Sequence, residues 1–311
     1  MKVEAGKPYD IQIDFDYNRG DAQLNFDFGY KEEINIDKSV AKVKDAGGVV
    51  IFVGGISPLL EGEEMGVNLP GFKKGDRTDI ELPAIQREFI RALHEAGKKV
   101  VFVNCSGSPI GMEPEIENCE AILQAWYPGQ SGGKAVADVL FGNYNPAGRL
   151  PVTFYRNVDQ LPDFENYDMK GRTYRYMAET PLFPFGYGLS YTSFQYGKPA
   201  LNKNKVKAGE KVKLTIPVTN KGGKIDGEEV VQVYLRKKND ISGPIKTLRA
   251  FERVFIPSGK TKTVVFELTG KQFEWWNENN QAVEISAGDF DILVGGSSGD
   301  EDLVKMNVKL Q

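Results

Sequence analysis

The chain has 311 residues, 41% hydrophobic and 26% charged, with a formal net charge of -4, a balance typical of a folded globular protein of about two domains. It has no Lys/Arg cluster of the kind that tracks a phosphate backbone, and no apolar run long enough to span a bilayer, so nucleic acid and membrane are excluded as partners. Two cysteines, Cys105 and Cys119, and a single histidine, His94, give neither a disulfide framework nor a metal-ligand set, so no metal or cofactor is expected and carboxylates must carry any acid/base work.

Residues 1–37 open the chain with period-two alternation. Tyr9–Tyr17 and Leu24–Phe28 read as two half-buried antiparallel strands around a turn at Asn18–Asp21, since successive strand side chains point to opposite faces. Two strands alone are marginal, so this short N-terminal β segment is expected to be the remnant of a larger β-domain or an appendage. Met1–Gly6 lacks the apolar core of a signal peptide.

Residues 38–196 read as α/β. A short helix is predicted over Lys38–Ala46. It leads into Val49–Val53, a continuous apolar run of the kind a parallel strand shows when buried on both faces. A polar loop spans 56–80. A helix then starts at Pro83, buries Ile85, Phe89, Ile90 and Leu93, and stops at Gly97. Strands Val100–Val103 and Ala121–Trp126 follow. Gly129–Gly133 opens a helix carrying Ala135, Val136, Val139 and Leu140. Strand and helix in alternation with short links give a parallel sheet with right-handed crossovers.

Residues 197–311 read as all-β. Strands are predicted at Val212–Thr219, Glu229–Leu235, Thr261–Leu268 and Gly288–Val294, a spacing that suits an immunoglobulin-like sandwich. The segment Pro184–Tyr191 between the two regions is too aromatic for a loose linker and is expected to pack against both.

Ligands of an open parallel sheet bind beyond the C-terminal ends of its strands. The 56–80 loop lies there and holds Glu61, Glu63 and Glu64 within four positions, followed by Asp76 and Arg77. Crowded carboxylates raise the pKa of one member, as a general acid at neutral pH requires, and Arg77 is placed to hold another ionised. A solvated acidic loop is the plain alternative. Ser106 and Ser108 have no base in view for nucleophilic chemistry. Gly129–Gly133 lacks the lysine of a phosphate loop, which favours helix-on-sheet packing as the reason for its glycines. Trp275 and Trp276 are adjacent, so at most one of them faces outward from a strand.

Several motifs occur in one order: Val53–Ile56 through Leu60–Met65 to Gly75–Arg77, then Trp126–Gly132, Leu140–Gly142, Asn145–Pro151 and Pro184–Thr192. Together they resemble the C-terminal domain of glycoside hydrolase family 3, and Gly227–Tyr234 is similar to the fibronectin type III-like domain that follows it in many members. The resemblance implies a retaining β-glycosidase, a β-glucosidase or β-xylosidase acting on terminal non-reducing sugars of an oligosaccharide or β-glycoside. Two carboxylates flank the bond in such enzymes. By position, Glu61 matches the general acid/base, with Glu63 as its substitute, and Glu63, Asp76 and Arg77 are candidates for substrate binding. The family's nucleophile is an Asp on a preceding barrel, for which about 250 residues are needed, and nothing here resembles one. The expectation is therefore the C-terminal part of a longer enzyme, whose missing N-terminal barrel is its partner. Such an enzyme is expected to be periplasmic or secreted, and this chain inactive alone. The opening strands resemble the end of a β-sandwich insert. The competing expectation is a non-catalytic carbohydrate-binding or accessory module, suggested by the β-regions and by aromatics such as Tyr127, Tyr174 and Tyr176.

Overall fold

A computed structural model describes residues 4, 6–15, 33–58, 60, 66–67, 69–207 and 209–311, with the backbone alone at Asp302. Residues 7–15 carry neither helix nor strand, so the strand expected from Tyr9 is not formed over its described part. The second expected strand, Leu24–Phe28, lies outside the described residues.

The α/β part begins with α1, Ile36–Val43. It starts two residues before the expected Lys38 because Asn35 caps it, its Oδ1 accepting from the Lys38 amide at 2.8 Å. Strand β1, Val49–Gly54, precedes a hairpin of β2, Phe72–Lys73, and β3, Asp76–Arg77. Helix α2, Ala84–Glu95, stops at Gly97, whose φ of 74° a β-carbon would disfavour. Next come β4, Lys99–Asn104; α3, Glu113–Asn118; β5, Ala121–Gln124; α4, Gly132–Leu140; and one turn of helix, α5, Thr173–Tyr176. The three long strands form a parallel sheet in the order β1-β4-β5.

Two expectations about burial need correction. Strand β1 is at the sheet edge with one covered face. Phe52 packs against Phe89 and Phe102, with ring centroids 5.6 and 5.9 Å away. On its other face Val49, Ile51 and Val53 are 52%, 44% and 65% exposed. In α2, Ile90 and Leu93 are buried but Ile85 in the first turn is exposed, the turn meeting the sheet through its neighbour Gln86, which bonds the Gly55 peptide. The core beneath gathers Ile56, Phe72, Ile90, Phe102, Met112 and Phe154.

Strands β6, Phe194–Tyr196; β7, Ala200–Leu201; β8, Lys205–Val206; and β9, Val212–Asn220 open the second unit. They are followed by β10, Gly227–Lys237; β11, Thr247–Ile256; β12, Thr261–Leu268; β13, Glu274–Asn277; β14, Ala282–Ile285; β15, Gly288–Gly295; and β16, Val304–Leu310. A five-stranded sheet, β11-β10-β15-β16-β8, faces a four-stranded one built on β12-β9-β6 with β7 beside β9. Between them Val212, Leu214, Ile216 and Val218 from alternate positions of β9 meet Val231, Val233 and Ile292, the two-residue period that puts one strand face in the core. On β13 Trp275 is buried and Trp276 exposed, as their adjacency requires.

The aromatic segment between the units is fastened to both. The Gly186 amide donates to the Leu150 carbonyl and the Ser298 amide to the Phe185 carbonyl, each at 2.8 Å. Gly186 has φ 82°, and a β-carbon there would lie 2.1 Å from Gln232 Oε1, so only glycine lets the chain pass. Phe183 stacks on Tyr187 and Tyr174 on Phe185. Tyr174 and Tyr176, two of the aromatics named for a carbohydrate-binding module, are half-buried rather than exposed.

Candidate active site

The C-terminal end of β1 is held by α2, the loop after β4 and the loop after β5. Gly55 has φ 127°, and a β-carbon there would come within 2.5 Å of the Cys105 carbonyl oxygen, so the close passage of β1 beside the loop after β4 demands glycine. The Gln86 side chain from α2 pairs with the Gly55 peptide in both directions: it accepts from the amide and donates to the carbonyl, each at 2.8 Å. Ser106 Oγ accepts from the Ile56 amide at 2.8 Å and Tyr127 OH donates to the Ile56 carbonyl at 2.9 Å. Behind them Ser106 Oγ donates to Asn104 Oδ1 at 2.8 Å, and Asn104 Nδ2 donates to Gln124 Oε1 at 2.7 Å. Ser106 is buried and spent on this ladder.

Glu61 and Glu63 lie outside the described residues, as does Glu64. The residues that flank them in sequence are described: Leu60 and Val67 both pack against the α/β core. The Leu60 amide donates to the Ser57 carbonyl at 2.9 Å, and the Lys74 amide to the Val67 carbonyl at 3.0 Å. Each stem thus has a backbone bond and a half-buried side chain packed on the core.

Downstream, Asp76 is exposed in the β2–β3 hairpin. Arg77 is half-buried; its Nη1 donates to Ser108 Oγ at 2.7 Å and its Nε to the Asp79 carbonyl at 3.1 Å. Arg77 thereby ties the hairpin to the loop after β4. The described part of the site unites Gln86, Asn104, Ser106, Gln124 and Tyr127, none of which the sequence singled out as a group. Gln86 comes from α2, Asn104 and Ser106 from the end of β4, and Gln124 and Tyr127 from the end of β5, three places that only the fold brings together.

Buried carboxylates occur elsewhere. Glu115 on α3 sits 3.2 Å from Arg87 Nε, and Arg87 also pairs with Glu81. Burial pushes the Glu115 carboxyl above its ordinary range, against the pull of Arg87. Cys105 and Cys119 are free and half-buried, and burial together with Glu115 pushes the Cys119 thiol up to about 12, which keeps it protonated. Among the described residues no group of three or more His, Cys, Asp or Glu side chains is placed to hold a metal ion.

Comparison with known proteins bears on this geometry. The profile of the glycosyl hydrolase family 3 C-terminal domain matches residues 7–191, and that of a fibronectin type III-like domain matches residues 229–298. A xylan 1,4-beta-xylosidase of Xylanibacter ruminicola is 51% identical over all of this chain and 36% of its own length. A periplasmic beta-glucosidase of Salmonella typhimurium is 36% identical over 85% of this chain and 34% of its own. Among solved structures, a β-glucosidase from Listeria innocua in complex with glucose superposes with a TM-score of 0.74 at 30% identity, covering 89% of this chain and 39% of that one. The chain thus spans about a third of the length of the curated relatives it matches.

Proposed function

Because the chain belongs to glycosyl hydrolase family 3 and carries that family's C-terminal domain with a fibronectin type III-like domain, we propose that it supplies the general acid/base of a retaining β-glycosidase. Glu61 is the acid/base and Glu63 its substitute. Glu63, Asp76 and Arg77 lie towards the sugar. The attacking carboxylate comes from the part of the relatives that this chain does not span. In such a reaction one carboxylate attacks the anomeric carbon, while the other first protonates the leaving oxygen and then deprotonates water; the two stand about 5–5.5 Å apart. The substrate class is a β-xyloside or β-glucoside, after the printed activities of the relatives, and the complete enzyme is periplasmic or secreted.

The observation that carries this reading is the anchoring of the acidic loop. Its stems, Leu60 and Val67, pack into the core at the C-terminal end of β1, and the Ile56 peptide ahead of it is held at both its amide and its carbonyl. A solvated acidic loop has no need of such a foundation, whereas a proton donor must be held within hydrogen-bond reach of the leaving oxygen.

The 311-residue chain alone is expected to show no turnover of aryl β-xylosides or β-glucosides. Joined to the upstream remainder of the X. ruminicola relative, it should hydrolyse them, and Glu61→Gln should lower the rate about 10²–10⁴-fold. A larger loss in Glu63→Gln than in Glu61→Gln would move the acid/base to Glu63. Robust turnover by the isolated chain, abolished by Glu61→Gln, would overturn the half-site reading.

A further inference from the structure

A cavity of about 650 Å³ lies on the seam between the two units, and none of its lining residues among those described belongs to the loop that follows β1. One wall is the segment from Arg156 and Tyr174 to Tyr187, and the other is Lys246 with the 298–301 turn of the β-unit. The volume falls in the range of about 300–1,000 Å³ typical of small-ligand sites, which favour domain interfaces.

Three features of the lining point to a ligand. Lys246 and Ser298 are buried, 5% and 3% exposed. The Lys246 ammonium has three N–H donors, and Asp300 Oδ1 takes one of them at 2.6 Å. Among the described residues the Ser298 hydroxyl has no hydrogen-bond partner, which is costly for a buried polar group unless something entering the cavity supplies one. Fixed charges of both signs ring the space: Arg156 and Lys246 against Glu179, Asp300 and Glu301. An anion would meet the three carboxylates and a cation would meet the two bases, so neither is favoured. Adjacent donors and acceptors beside half-buried aromatic rings match a neutral molecule with many hydroxyls and an apolar face.

We propose that this cavity binds a neutral saccharide of one or two units, at a site separate from the acidic loop. Lys246 donates to its hydroxyls, Ser298 donates to or accepts from them, and Tyr174 and Phe183 form its apolar wall. The inference stands apart from the role assigned to Glu61, because none of its residues comes from that loop.

Titration of the 311-residue chain with xylobiose and with cellobiose, followed by calorimetry and by the amide shifts of Lys246 and Ser298, tests it. Saturation below about 10 mM is expected, weakened about tenfold by Lys246→Met, as loss of a hydrogen bond from a charged donor implies, and unchanged by Glu61→Gln. Thr180→Trp, at the exposed rim, serves where Lys246→Met fails to fold and should abolish binding by filling the mouth. No saturation by either sugar would overturn the proposal, as would binding lost in Glu61→Gln but kept in Lys246→Met. In the latter case the sugar would be held by the acidic loop.

Discussion

Gly55 shows how much a single residue decides. Its φ of 127° and the 2.5 Å approach of the Cys105 carbonyl leave no room for a methyl group, so Gly55→Ala must displace either β1 or the loop after β4. Left-handed strain and backbone overlap together cost on the order of 2–4 kcal/mol, and thermal denaturation should show a correspondingly lower Tm. An unchanged Tm would mean that the β1 exit is not held as described. The sequence marked this place only through the Val53–Ile56 motif that follows an apolar strand. It could not mark Gln86, Ser106 or Tyr127, which reach the same two peptides from 31, 50 and 71 positions away, because a partner so distant leaves no local pattern.

Among the elements, β1 separates composition from position. Its apolar run suggested burial on both faces, yet the strand forms the edge of a three-stranded sheet with α2 covering one side. The two faces should therefore respond differently to substitution in this chain. Val53→Thr, on the open face, is expected to shift stability by less than about 0.5 kcal/mol. Phe52→Ala, which removes a ring packed between Phe89 and Phe102, should cost about 2–4 kcal/mol. Denaturant titration of both variants checks the contrast, and equal losses would place a covering layer over Val49, Ile51 and Val53. The β-unit was more legible. Its four expected strands correspond to β9, β10, β12 and β15, because β9 and β12 alternate cleanly and β10 and β15 are compact apolar runs buried along most of their length. Strand β11, Thr247–Ile256, was not anticipated: exposed Phe251 and Phe255 and its charged residues blur the alternation that marks a strand with one buried face.

At the scale of the whole molecule, the seam between units holds a buried ion pair. Arg149 Nη2 donates to Glu229 Oε2 at 2.8 Å, the two side chains being 9% and 5% exposed, and Tyr196 OH donates to Glu229 Oε1 at 2.9 Å. Burial raises the Glu229 carboxyl above its ordinary value, while Arg149 and Tyr196 oppose the rise. A carboxyl with a raised folded-state pKa is favourable to the fold at acid pH, where it is protonated in both states. That advantage is lost as pH climbs from the unfolded value through the folded one. Arg149→Met removes the chief opposition, so Glu229 should titrate higher still and the variant's deficit should grow with pH. The expected loss is about 3–5 kcal/mol at neutral pH and distinctly less near pH 4. Comparing the variant with the parent chain at each pH cancels other carboxylates, and a deficit independent of pH would refute the linkage.

The sequence by itself determined the parallel α/β sheet, the β-sandwich and the family, because these rest on periodicity and on short motifs of adjacent residues. It also drew notice to the acidic loop, since three carboxylates within four positions are visible without a fold. Tertiary structure alone decided which face of β1 is covered, which distant side chains hold the Ile56 peptide, and that Lys246 and Ser298 share a cavity. These depend on segments that the chain brings together from tens of positions apart, and burial is a property of the neighbours as much as of the residue.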